Sequence, residues 1–135
     1  MHMIHGYKAP IEELTKENTD FRRVLYTAAG LQLVLMSLAP GEEIGLETHD
    51  ENDQFFRFEA GEGEVVVNGM SYTVTDGDCV IVPKGTLHNV INHSASELLR
   101  FYTLYAPAHH RDGTVHTTKT DALEHEADFD GTTTE

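Results

Sequence analysis

The segment "LETHDENDQ", residues 46–54, places a carboxylate, an imidazole and an amide close together between two apolar stretches. Side chains of an extended chain alternate between faces, so Glu47 and His49 share one side. Gly45 falls on that same side and leaves room beside them. "DEND" supplies a turn, and Gln54 opens the next extended run with Phe56 and Phe58 on its own face. Later, "GDCVIVPKGTLHNVIN" sets His88 just after a Pro83–Gly85 turn. Glu47, His49, Gln54 and His88 are therefore candidate ligands of one divalent ion. These donor types suit Zn, Fe, Mn, Ni or Co and discriminate poorly among them.

The elements that must position these residues read almost entirely as strands. "FRRVLYTA", "LQLVLMSL", "IGLETH", "QFFRFEAG", "EVVVNGMSYTV", "DCVIVP", "HNVINH" and "ELLRFYTLYAP" follow one another, rich in residues that suit a pleated, half-buried surface. Asn68-Gly69 between alternating residues is a strong hairpin signal. Short strands at this spacing without a helical period predict an all-β sandwich or barrel. "IEELTKEN" forms a short helix or an arm, and residues 106–120 read as irregular surface chain. The organisation expected is an N-terminal arm over 1–20, one β-domain over 21–120 and an acidic, flexible tail over 121–135.

At this point two spacings become recognisable. Gly77, Pro83, Gly85, His88 and Asn92 match the second motif of the cupin superfamily at every specified position. Gly41, Glu47, His49, Gln54 and Gly61 occupy the five places of the first motif with its spacing intact. The resemblance covers about residues 30–106. It implies a small double-stranded β-helix, or jelly roll, holding one divalent metal inside the barrel. The usual ligand set is three histidines and one glutamate. Here Glu47 stands at the first histidine position and Gln54 at the glutamate position. The paired change leaves one anionic and three neutral ligands, so with a divalent ion the formal charge stays near +1. Such a centre can polarise a substrate oxygen or lower the pKa of bound water. Type I phosphomannose isomerases, also cupins, hold zinc with two His, one Glu and one Gln. This chain resembles them in that inventory, with Glu and Gln in reverse order, and is far shorter.

Other residues are candidates for lesser roles. Phe56, Phe58, Phe101, Thr103 and Tyr105 are expected to line a pocket, alternating with the outward Arg100, because an unpaired charge is costly to bury. His116 is a candidate for proton transfer at the barrel mouth. Asn92 is read as a turn residue, and His93, His109, His110 and His125 as surface histidines. Cys79 is alone, so no intrachain disulfide can form, and its apolar neighbours suggest a buried structural thiol.

Bulk composition bounds the partners. Nine Lys and Arg against 23 Asp and Glu give a net charge of −14. That disfavours nucleic-acid phosphates and anionic membranes alike. No run approaches the ~20 apolar residues of a membrane span, and a reducing, cytoplasmic setting is expected. The expected partner is a small molecule, with a second copy of the chain pairing through "FRRVLYTA", since small cupins commonly pair through edge strands. The function expected is that of a metalloenzyme acting on a small oxygenated molecule, sugar isomerase-like. Alternatives are a metal-dependent dioxygenase or a non-catalytic binding cupin.

Overall fold

The computed structural model describes residues 3–135. A short helix, α1 (Ile11–Glu17), precedes eight strands: β1 (Arg22–Thr27), β2 (Gln32–Leu38), β3 (Asp53–Ala60), β4 (Gly63–Val67), β5 (Met70–Val74), β6 (Cys79–Val82), β7 (His88–Ile91) and β8 (Leu99–Ala106). A two-residue strand β9 (Val115–His116) and a helix α2 (Lys119–Glu124) follow. The strands form two antiparallel sheets, β6-β3-β8-β2-β1-β9 and β5-β4-β7. Non-sequential neighbours such as β3 beside β8 are the wrapping of a jelly roll, as the strand pattern and the two motifs predict.

Alternation decides which side chains meet between the sheets. Along β8 the burial pattern is strictly two-fold, with Leu99, Phe101, Thr103 and Tyr105 inward. Phe58 sits opposite Phe101 and Phe56 opposite Thr103 in the β3–β8 ladder. Phe56, Phe58 and Phe101 are fully buried, with ring centroids 5.1–6.3 Å apart. Each buried ring contributes about 1.5–3 kcal/mol. Asn68 and Gly69 both have positive φ, 49° and 80°, the conformation that a tight β4–β5 hairpin demands. Outward Arg100 donates to the Lys16 carbonyl at the end of α1.

Several expectations are corrected. "IGLETH" is not a regular strand: Gly45 has φ +109°, which interrupts extended pairing, and only isolated bridges at Glu43 and Glu47 tie the segment to β7. Cys79 is exposed, because it pairs with Arg57 on the outward parity of β6 while Val82 points in. The outer edge of β1 is occupied from within the chain. His116 and Val115 pair with Arg22 and Arg23, the Val24 N–H donates to the Thr114 carbonyl at 2.9 Å, and Thr134 closes on Thr27 from both sides. Residues 106–120 include β9 and the start of α2.

The acidic tail is tied back to the body. The Phe129 N–H donates to the His109 carbonyl at 3.0 Å, the Arg111 N–H to the Ala127 carbonyl at 2.8 Å, and the Glu135 carboxylate accepts from the Tyr26 hydroxyl and from the His5 and Gly6 N–H groups. Two of these five are backbone-to-backbone bonds, invisible to a reading of composition. No helix among the described residues is long and apolar enough to cross a membrane.

Gly61 shows why the first motif ends in glycine. Its φ is +89°, and a Cβ there would lie 2.3 Å from the Leu98 carbonyl oxygen, backbone that cannot swing aside. Gly61→Ala should therefore cost roughly 2–4 kcal/mol. Gly30→Ala, with open space around it and no positive φ, should stay within about 1 kcal/mol of the parent. Urea unfolding of the two variants measures the contrast; coincident midpoints would contradict it.

Candidate metal centre and cavity

Backbone pairing builds the centre. The Glu47 N–H donates to the His88 carbonyl and the His88 N–H to the Glu47 carbonyl, both at 3.0 Å. Residues that exchange both bonds lie directly opposite and point their side chains to one face. His49 is held next to them by its own carbonyl, which accepts from the Gly85 N–H at 2.8 Å. The Pro83–Gly85 turn thus serves the first motif as well as the second.

The result is a cluster of three. One donor atom each from Glu47, His49 and His88 lies within 4.8 Å of the others. Glu47 Oε1 is 3.3 Å from His49 Nε2 and 3.7 Å from His88 Nε2. Two ligands at ~2.1 Å from one ion would stand roughly 3–3.6 Å apart, so the spacing fits. The His88 Nδ1–H donates to the Thr86 carbonyl at 2.9 Å, which leaves Nε2 to face the cluster. That Nε2 is buried without a hydrogen-bond partner. Gln54 is buried on β3, where its Nε2 donates to Thr103 Oγ1 at 3.0 Å and its Oε1 is likewise unpartnered. Orphaned buried acceptors are rare and costly. The one at His88, with the Glu47 carboxylate and the His49 imidazole, fits a divalent ion, which these three residues would hold.

The pocket differs from the expected one. Phe56, Phe58 and Phe101 belong to the core beneath the centre rather than to a lining, Phe56 lying edge-on to His88 at 6.3 Å. Thr103 orients Gln54. Only Tyr105 of the five reaches the cavity. That cavity, of about 130 Å³, is lined by Glu47, His49, Tyr105, His109, His110, His116 and Arg22, and roofed by the α2 region from Lys119 to Asp128. Its size suits a small molecule, well below the ~300–1,000 Å³ of drug-sized sites.

His109 and His110, read from the sequence as surface residues, are cavity residues. The His109 ring lies 4.4 Å from that of His49 and stacks on Tyr105 at 5.1 Å. His110 is buried, with Nε2 3.3 Å from the Tyr105 hydroxyl, while its backbone N–H donates to Gln32. Their adjacency after β8 was the available signal: a chain leaving an inward Tyr105 delivers the next residues over the same mouth. His116 does line the cavity, but both ring nitrogens are engaged. Nε2 donates to the His125 carbonyl at 2.9 Å, and Nδ1 accepts from Arg22 Nη1 at 3.3 Å. It positions its neighbours and has no free nitrogen for proton transfer. His93 pairs with Glu64 on the surface, and His125 is exposed. Asn92 stitches a turn, donating to the Leu38, Ala39 and Glu97 carbonyls.

Electrostatics divides the histidines. Burial alone would raise Glu47, but His49 and His88 outweigh it and hold the carboxyl well below its usual range. Burial alone would lower His88, and the Glu47 carboxylate and Thr86 carbonyl overcome it, so its pKa is raised. His109 is pushed down to about 4, by burial first and then by His49. His110 is also lowered, by burial and by Arg22. Burial raises the Tyr105 hydroxyl.

The family model described as Cupin domain matches residues 34–105. The chain is 44% identical over 119 residues to YrkC of Bacillus subtilis (strain 168), covering 84% of this chain and 63% of that protein. It is 40% identical over 113 residues to L612 of Acanthamoeba polyphaga mimivirus, covering 81% of this chain and 70% of that protein. The chain thus spans somewhat less than two thirds of YrkC. The crystal structure of BH2720 from Bacillus halodurans superposes with a TM-score of 0.86 at 41% identity, covering 92% of this chain and 98% of that one. This chain belongs to the cupin family, and its barrel carries a three-residue cluster suited to a metal ion.

In metal-free protein, His109 should titrate with a midpoint near pH 4, far below the ~6.5 of an exposed imidazole. The sign for stability follows. Between those values the unfolded chain binds a proton that the folded chain refuses, so this residue's contribution is lost as pH falls. His88, raised, acts oppositely, its contribution being lost as pH rises through its folded pKa. Ring-proton NMR of His109 therefore resolves the question better than a melting curve; a midpoint above pH 6 would contradict the buried placement.

Proposed function

We propose that this cupin is a metalloenzyme acting on a small oxygenated molecule, with chemistry like that of a sugar isomerase. The observation that carries the reading is the cluster of Glu47, His49 and His88, within which His88 Nε2 is buried without a hydrogen-bond partner. A divalent ion held there supplies a Lewis acid able to polarise a carbonyl or hydroxyl oxygen. The chain's own residues then supply the rest. Neutral His109, edge-on to His49 and lining the cavity, is available to accept a proton from substrate. Tyr105 backs that imidazole and hydrogen-bonds His110, and the roof from α2 onward restricts water. A proton acceptor in the cavity favours catalysis over mere binding, and proton transfer between adjacent carbons over oxygen chemistry.

Elemental analysis of protein purified without added metal, followed by aldose–ketose conversion and oxygen-uptake screens, tests this reading. About one ion per chain is expected. His88→Ala should weaken metal binding on the order of 100-fold or more, and Gln54→Leu about 10-fold. His109→Asn should retain the ion while turnover falls roughly 10²–10⁴-fold. Oxygen consumption without isomerisation would favour a dioxygenase. A bound ion with no turnover would favour a binding protein, and no ion under any loading would remove the metal reading itself.

A further inference from the structure

Arg22 is the unexplained charge of the cavity. It lies opposite Met36 in the β1–β2 ladder and opposite His116 in the β1–β9 ladder, and cross-strand partners share a face. Met36 is fully buried in the core, so Arg22 projects inward, where it lines the same cavity as Glu47 and His49. Among the described residues it joins no ion pair. Its Nε is buried without a hydrogen-bond partner, and its protein hydrogen bond is to a neutral acceptor, His116 Nδ1 at 3.3 Å. The Phe21 ring lies 5.3 Å beneath its Cζ. His116 is itself fixed by the His125 carbonyl, so the guanidinium is supported on two sides by groups that do not neutralise it.

An inward cation without a counter-ion is costly to maintain. A guanidinium presents paired N–H donors in a fixed plane, the geometry that receives a carboxylate. Lys119, also at the cavity, spends its ammonium on the Glu43 carbonyl at 2.6 Å. The carboxylates at the roof, Glu126 and Asp128, line the cavity but do not pair with Arg22. The chain's overall charge of −14 repels anions generally, which makes an unpaired cation inside the cavity all the more selective.

We propose that the cavity takes a small aliphatic hydroxy or oxo acid, with Arg22 binding its carboxylate and its second oxygen turned toward Glu47, His49 and His88. The Arg22 half stands on the geometry of β1; the second half rests on the metal reading above. The cavity's ~130 Å³ limits the acid to a few carbons.

Calorimetry with lactate, β-hydroxybutyrate and uncharged propylene glycol, on EDTA-treated and on Mn²⁺-loaded protein, tests the assignment. At least one of the acids should bind 10-fold or more tightly than the glycol. Arg22→Gln should abolish that preference, with Mn²⁺ affinity unchanged. Should Arg22→Gln fail to fold, Arg22→Lys, which keeps the charge and loses the planar fork, should still weaken acid binding several-fold. Arg22-dependent acid binding in protein that takes up no Mn²⁺ would uphold the role of Arg22 and remove the metal reading. Mn²⁺ binding with neither acid preferred over the glycol, or with both Arg22 variants binding acid as the parent does, would overturn the role of Arg22.

Discussion

The candidate site depends on one exchange of backbone hydrogen bonds, Glu47 with His88, each at 3.0 Å. The pair contributes only about 1 kcal/mol per bond. Its importance is register: a slip of one residue would turn Glu47 and His49 to the opposite face and dissolve the cluster. The neighbouring bonds enforce the same alignment. The Ile44 N–H donates to the Val90 carbonyl, the Gly85 N–H to the His49 carbonyl, and the Gly45 N–H to the Asn89 side chain. Gly45 cannot continue an ordinary strand at φ +109°, yet the bonds on either side of it hold, so the segment is pinned where it bears ligands and free to bend between them.

Within that frame, charge is distributed with economy. Glu47 is the carboxylate that the cluster's imidazoles surround, and it draws proton affinity toward His88. His109 and His110 lack such a partner, so burial keeps them neutral. Proximity to a single acid thereby separates His88 from His109 and His110. Arg22 reinforces the sorting, since its charge opposes protonation of both His109 and His110. The same residue set would behave differently if Glu47 were moved by one strand position.

What the sequence disclosed and what it hid follow from the kind of interaction involved. Two motif spacings carried the fold, Glu47, His49 and His88, because ligands on short extended segments repeat at fixed offsets. Asn68-Gly69 announced its hairpin because the turn dihedrals need those residues. Cys79 misled because "DCVIVP" is apolar at both parities, so the run conceals which positions face out. The return of β9 and Thr134 to β1 was not legible because it runs largely through backbone bonds that no residue type advertises. Arg22 was missed for a related reason: its place in the cavity follows the pairing of β1 with β9, which no local pattern announces.

Parity also fixes only the face of a strand, never the depth, and depth is what separates structure from chemistry in this barrel. Inward residues along β8 step by roughly 6.8 Å per pair. Leu99 and Phe101 lie in the core, Thr103 meets Gln54, and Tyr105 reaches the cavity beside His109. β3 runs the opposite way and supplies Phe58, Phe56 and Gln54 at matching levels. The aromatic rings pack below this level, with Phe56 edge-on to His88, while the mouth is built from β1, the chain beyond β8 and α2. Substitutions in the roof can change which molecule enters without disturbing the bonds that assemble the cluster. The two tasks are carried largely by different lengths of chain, which meet where Glu47, His49 and Tyr105 line the cavity and His109 packs against His49.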